Sequence, residues 1–372
     1  MIYLDYQATT PLAPEVAAAM GPWAEAKFGN PHSPHRFGRE AAAAIEVARE
    51  QVGSLLGSGG GVFFTSGATE AANWALKGAA SRLPQGKSRI VTLATEHACV
   101  LDTVEWLGGQ GFDIVLAPVG SDGVADLDRL RELIDDRTGL VAAMLVNNET
   151  GIIQPIEQIA DIAHARGAIF FCDAVQGLGR VKLPLHACDM VAVSAHKVHG
   201  PKGIGALWLR RGVEINPLLH GGGQEGGIRS GTLSPALCVG FGEAARLMTE
   251  RRAADHEHVE ALWRTATSML GDRWCVNGSA ERRYHGNLNV RSDGIDAAQL
   301  ISNVRQVAFS AGSACASGSG RPSHVLSALG LSDREARSSL RLGFGRYTSK
   351  EELVQALTLI QDAAGRQRSF AA

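Results

Sequence analysis

A lysine, an aspartate, a small-residue turn and an isolated cysteine are the features of this chain whose settings suggest chemistry. In FFTSGATEAAN (63–73) a strand runs out at Thr65, small residues turn the chain, and an alanine-rich helix begins. Such a turn presents unpaired N–H groups and the positive end of a helix dipole, which suits a phosphate dianion. No G-K-[ST] follows, so it is not a Walker loop. Asp173, in FFCDAVQG, and Lys197, in SAHKVHGPKGIGAL, each follow an apolar run of strand length, and open α/β sheets hold ligands beyond their strand ends. A lysine there is suited to Schiff-base chemistry if its ammonium is desolvated and loses its proton. A carboxylate on a neighbouring strand could hold a protonated pyridine nitrogen. Phosphate turn, amine and carboxylate are together the parts that a pyridoxal phosphate site needs. Singly, each has a plainer reading: Ser66 or Thr69 as a helix cap, Asp173 likewise, and Lys197 as a surface lysine.

The cysteine lies in AFSAGSACASGSGRPSHVL (308–326), where Cys315 has almost no bulky neighbour to bury it. A core cysteine sits among apolar side chains, so the composition predicts an exposed, mobile loop that carries a thiol. Exposed thiols are open to oxidation, and nucleophilic use is the reason to keep one. The other five, Cys99, Cys172, Cys188, Cys238 and Cys275, are scattered, and no C-x-x-C pair suggests zinc or a redox dithiol.

These residues need a frame to bring them together. Apolar runs alternate with helix-length stretches through the first two thirds of the chain, which is the α/β signature. Strands are expected at 62–65, 89–94, 113–118, 140–146, 168–172, 190–195 and 204–210, and crossover helices at 68–81, 99–107, 127–135 and 156–165. The near-continuous apolar character of the strands predicts burial on both faces of a mainly parallel seven-stranded sheet. Pro235 to Leu270 suits one long helix, kinked if anything, that leaves the sheet for a second unit. That unit reads as strand (288–290), helix (297–304), short strand (307–310), small-residue loop, helix (323–329), strand (339–344) and a last helix from Ser349.

With 372 residues, 45% of them apolar, 20% charged and a formal net charge of −2, the chain is an ordinary globular protein with no electrostatic case for nucleic acid. Glycine stands out at 44 residues, well above its usual share of about 7%, as tight turns around a bound ligand would require. The start lacks a basic flank followed by an apolar core, and no apolar run reaches membrane-spanning length. A cytoplasmic protein is the expectation.

In order along the chain, YLDYQATTP, FGNPHSPHRFGRE, FTSGATEAAN, TEHACV, VNNETG, CDAVQ, SAHKVHGPKGIGAL, GGGQEGGIRSGT, SAGSACASG and GFGRYT closely resemble the cysteine desulfurases of the NifS/IscS type. These form a branch of the class V aminotransferases, which are fold-type I pyridoxal phosphate enzymes. The resemblance implies a large cofactor-binding domain (15–255) and a smaller α+β domain (1–14 and 256–372) carrying the cysteine loop. It implies that Lys197 carries the cofactor as a Schiff base, that Asp173 keeps the pyridine nitrogen protonated, and that His97 stacks on the ring and shuttles protons. Gln176 and Asn148 match groups at the ring hydroxyl and on the substrate side. Ala68, Thr69, Ser194 and His196 match phosphate ligands. Thr232 matches a residue that reaches the phosphate of a neighbouring subunit, which implies a homodimer. Arg341 matches the receiver of the substrate carboxylate, helped by Asn30, whereas Arg346 reads as structural.

On this resemblance L-cysteine becomes L-alanine, Cys315 takes the sulfur as a persulfide, and an acceptor protein receives it for iron–sulfur clusters or tRNA thiolation. A selenocysteine lyase or another β-lyase on the same fold is the alternative, and a non-catalytic binding protein the third reading. The chain departs from the family pattern at Gly226 (an arginine is usual), at Gly343 (a serine is usual) and at Gly320-Arg321 (Leu-Glu is common).

Overall fold

The computed structural model describes residues 1–311 and 323–371, so Cys315 and the glycine-serine stretch around it lie outside the described residues. Strand β1 (Ile2–Tyr3) and helices α1 (Pro14–Glu25) and α2 (Arg36–Leu56) come first. The alternating region holds β2 (Gly60–Thr65), α3 (Ala68–Ala80), β3 (Arg89–Leu93), α4 (Ala98–Gly108), β4 (Asp113–Ala117) and α5 (Leu127–Leu133). It continues with β5 (Thr138–Met144), α6 (Ile156–His164), β6 (Ile169–Asp173), β7 (Met190–Ser194) and β8 (Gly205–Arg210). Then come α7 (Pro235–Glu250), α8 (Arg252–Leu270), β9 (Cys275–Val276), β10 (Asn287–Arg291), α9 (Ala297–Asn303) and β11 (Val307–Ala308). Helices α10 (His324–Ala328) and α11 (Asp333–Arg337), strand β12 (Ser339–Gly343) and helix α12 (Lys350–Ala371) complete the described chain.

Seven strands form one sheet in the order β2-β8-β7-β6-β5-β3-β4, and β8 alone runs against its neighbours. The expected seven-stranded, mainly parallel sheet is therefore present. Every residue of β5 and β7 is buried, as a sheet covered on both faces demands. One apolar core lies on the side of α2, α6 and α7, and a second on the side of α3 and α4. A third gathers Leu4, Trp263, Leu288, Leu342 and Leu357 away from the large sheet, around the three strands β12-β10-β9.

The stretch expected to form one long helix is two helices, broken at Arg251, where ψ is near zero (φ −95°, ψ 1°). Helix α7 packs on α1 and α2, whereas α8 packs on α12, and the bend lets one amphipathic run serve two cores. The strand expected at 307–310 pairs only through Ala308, after which Ser310 forms an isolated bridge to Arg341.

The first thirteen residues join the two halves. Ile2 and Tyr3 pair with Val307 and Ala308, while Thr10 donates from N and from Oγ1 to the His196 carbonyl, each at 2.9 Å. The Thr10 hydroxyl also accepts from the N–H of His199 at 2.8 Å. His199 has φ 65°, a left-handed conformation that a non-glycine residue keeps only when its surroundings enforce it.

Candidate active site

Strands β2 to β7 all point the same way, so the segments leaving their C-terminal ends converge on one side of the sheet. A cavity of about 620 Å³ opens there, lined from the ends of β2, β3, β5, β6 and β7 and closed from the far side by Gln7, His324 and Arg341. It brings together ten of the residues singled out from the sequence: Ala68, Thr69, His97, Asn148, Asp173, Gln176, Ser194, His196, Lys197 and Arg341. Asn30 and Thr232 are exposed and outside its lining. Cys315 is among the residues not described.

The turn after β2 leads into α3 through Gly67, with no side chain capping the helix, so its first N–H groups face the cavity without a competing partner. Gly205 on β8 passes so close that an added Cβ would stand 2.6 Å from the Val193 carbonyl oxygen and 2.7 Å from the Gly67 carbonyl carbon. Only glycine permits that approach.

Lys197 follows β7 on a short 3-10 turn. Its Nζ donates to the carbonyls of Gln7 at 2.6 Å and Ala8 at 2.8 Å. Burial, then the cations Arg180 and Arg341, bring its pKa down to about 8. Such an amine is a usable nucleophile and base near neutrality. Asp173 ends β6 and is buried, with Oδ1 accepting from the Val175 N–H at 2.9 Å. Burial pushes its pKa up, against the pull of His97, the Val175 hydrogen bond and Lys197. A carboxylate in that setting is completed by a cationic or N–H partner.

His97 caps α4, its Nδ1 accepting from the Cys99 N–H at 3.1 Å. That assigns the proton to Nε2, and burial lowers the pKa further, so the ring is neutral. His196 is likewise held neutral: burial and the neighbouring Lys197 and Lys202 take its pKa down to about 4. The Asn148 Oδ1 atom is buried without a hydrogen-bond partner, in a residue that lines the cavity, and an orphaned acceptor of this kind calls for an explanation such as a bound group. Gln176 is engaged within the protein: Nε2 donates to the Gln7 carbonyl at 2.9 Å and Oε1 accepts from Arg180 at 3.0 Å.

Arg341 is 2% exposed and holds Asp5 Oδ1 through Nη2 at 2.7 Å and the Asn148 carbonyl through Nη1 at 3.2 Å. Its Nε has no partner. Arg346, by contrast, points away and pairs with Asp255 at 2.6 Å, in keeping with its structural reading.

Sequence reasoning missed several cavity neighbours. Gln7, Ala8 and Arg180 surround the lysine. Ser323, the cap of α10, donates to the buried carboxylate of Glu149. His324 donates from Nε2 to the Glu96 carbonyl at 2.9 Å. Glu96 itself is wholly buried, one carboxyl oxygen accepting from the Met144 N–H at 2.7 Å. Its pKa is raised well above the usual range by burial and by Asp173. Adjacency of Glu96 to His97 was the one signal that could have found it.

The donor set fits pyridoxal phosphate: an open helix N-terminus, a depressed lysine amine, a buried carboxyl lacking a second partner and an orphaned amide oxygen share one cavity. This is the architecture of a fold-type I transferase. The family model for aminotransferase class V matches residues 2–357. "Cysteine desulfurase IscS" of Rickettsia bellii (strain OSU 85-389) is 42% identical over 378 residues, covering 99% of this chain and 92% of that protein. A solved "NIFS-LIKE PROTEIN" superposes with a TM-score of 0.91 at 34% identity, covering 98% of this chain and 99% of that one. A second structure, "SspA in complex with cysteine", reaches a TM-score of 0.82 at 36% identity over 94% of this chain and 100% of that one. The chain belongs to the class V aminotransferase family, in its cysteine desulfurase branch.

Proposed function

We propose that the chain converts L-cysteine to L-alanine with pyridoxal phosphate and passes the sulfur through a persulfide on Cys315. The observation that carries this is the Lys197 amine, buried and depressed to about 8, in one cavity with Asp173 and Arg341. The N-terminus of α3 at Ala68 and Thr69, with Ser194 and His196, would hold the phosphate, and Asp173 the pyridine nitrogen. When bound, pyridoxal phosphate supplies an electrophilic carbon for the substrate amine and a ring that withdraws electrons from it.

Lys197, once its amine is free, takes the α proton, and the two carbonyls of Gln7 and Ala8 steady it. Arg341 meets the substrate carboxylate, while Asp5 and Asn148 fix the guanidinium plane. His97, neutral and protonated on Nε2, handles protons on the substrate's sulfur side. Cys315 attacks the substrate sulfur as a thiolate: an S–S bond forms, the C–S bond breaks, and its electron pair stays with carbon, which is protonated to give alanine. An acceptor protein, such as an iron–sulfur scaffold or the tRNA thiolation machinery, then takes the sulfur.

A homodimer in which Thr232 and Asn30 serve the neighbour's cavity accounts for two matched residues that lie outside the cavity of their own chain. Among the described residues no helix is long and apolar enough to cross a membrane, and work in the cytoplasm accords with the reading. Incubation with L-cysteine followed by peptide mass spectrometry is expected to find alanine in solution and one added sulfur atom on the Cys315 peptide. Undiminished cysteine desulfuration by Cys315→Ser would sink the persulfide route and favour a lyase.

A further inference from the structure

Arg180, on the turn that follows β6, has no part in the chemistry above, yet it touches Tyr284, Gln176 and Lys197 itself. Its guanidinium lies over the Tyr284 ring, 5.2 Å from the centroid. Nη1 donates to Gln176 Oε1 at 3.0 Å, and Nη2 donates to the carbonyl oxygen of Lys197 itself. Gln176 passes the connection on, donating from Nε2 to the Gln7 carbonyl at 2.9 Å. That same carbonyl accepts from Lys197 Nζ at 2.6 Å. The hydrogen bonds close a ring in which one planar fork holds the lysine's backbone directly and its amine through two intermediaries.

We propose that Arg180 is a positioning residue for Lys197, fixing the resting place of the amine and setting a permanent cation beside it. The proposal rests on reading Lys197 as the cofactor-bearing lysine. A guanidinium suits the task because its donors are rigidly spread, so it can serve the Lys197 carbonyl and the Gln176 amide at once; a lysine ammonium reaches such points only one at a time. Both of these acceptors are neutral oxygens, so they leave the charge of Arg180 uncancelled. Around the amine, Arg341 on β12 adds positive charge and Asp5 and Asp173 oppose it; Lys202 lines the same cavity and acts on His196, and the imidazoles of His97 and His196 are neutral. Arg180 is the foremost of the charged neighbours in lowering the proton affinity of Lys197.

The rate of Lys197 acetylation by acetic anhydride, followed against pH by mass spectrometry on the full chain freed of cofactor, reads that affinity directly. Arg180→Gln is expected to move the midpoint upward by about half a pH unit or more, and Arg180→Lys, which restores the charge, to return it. In the loaded enzyme, the pH midpoint of the cofactor's visible band should shift the same way. Arg180→Met serves where the glutamine variant does not fold. An unmoved midpoint in the folded Arg180→Gln or Arg180→Met variant overturns the proposal, as does a wild-type midpoint at the ordinary lysine value of 10.5. Failure of the wild-type chain to retain pyridoxal phosphate on Lys197 after borohydride reduction overturns instead the functional reading beneath it.

Discussion

Two buried groups make opposite demands on pH. Lys197 can accept a proton only as the neutral amine, and with its pKa lowered to about 8 the turnover rate should climb with pH and level off above that value. Lys197→Ala should cost at least about a thousandfold in alanine formation, checked by following product at saturating cysteine. Glu96 is the reverse case. Its folded pKa lies above the unfolded value of 4.5, so the folded chain retains a proton that the unfolded chain releases. The stability this contributes is complete below 4.5 and is lost as pH rises toward the folded value. Glu96→Gln keeps an oxygen for the Met144 N–H and should flatten the fall of urea-unfolding stability as pH rises above 4.5. Lys197 and Asp173 were legible in the sequence because each ends an apolar run. Gln7 and Arg180 were not, since Gln7 meets the lysine across 190 positions and no local pattern announces such a contact.

Among the elements, β12 and the N-terminal segment are fitted with no room to spare. A Cβ on Gly343 would stand 1.8 Å from Gln7 Oε1 and 2.7 Å from the Tyr6 amide nitrogen. The family's usual serine is therefore excluded here while Gln7 keeps its place. Gly343→Ala should destabilise by about 1–3 kcal/mol, and pairing it with Gln7→Ala should recover part of the loss, measured by denaturant unfolding of both singles and the double. Recovery stays partial because the Tyr6 backbone does not move with the glutamine. The same close fit explains what periodicity could convey. Strands β5 and β7, buried on both faces, stood out as apolar runs. Helix α1 contains Gly21 and Pro22, which obscure its pattern, whereas α2 carries Ala41, Ile45, Ala48, Val52 and Leu56 at helical spacing, a signal the sequence held; both pack against α7. A kink in the run 235–270 was expected, but its place at Arg251 was not legible, because it answers to where two cores lie and not to any helix-breaking residue.

At the scale of the whole molecule, the cavity is assembled from both halves of the chain: the large sheet supplies the amine and the carboxyl, and β12 supplies Arg341. Thr232 and Asn30 remain outside. If a second copy brings them in, the protein should sediment as a dimer, and Thr232→Ala should weaken pyridoxal phosphate retention about tenfold or less, as loss of one neutral hydrogen bond to a phosphate implies, with the sedimentation unchanged. Equilibrium dialysis of the cofactor checks this. The short segment threaded between the halves has a practical consequence. Its carbonyls at Gln7 and Ala8 are the acceptors of the Lys197 amine, whereas the two cores that flank the large sheet take none of their buried members from it before Ala13. Recombinant preparations clipped by an exopeptidase over those few positions would leave the large sheet's packing untouched and yet be catalytically blind, so an intact-mass check should precede any decision to discard a batch as inactive.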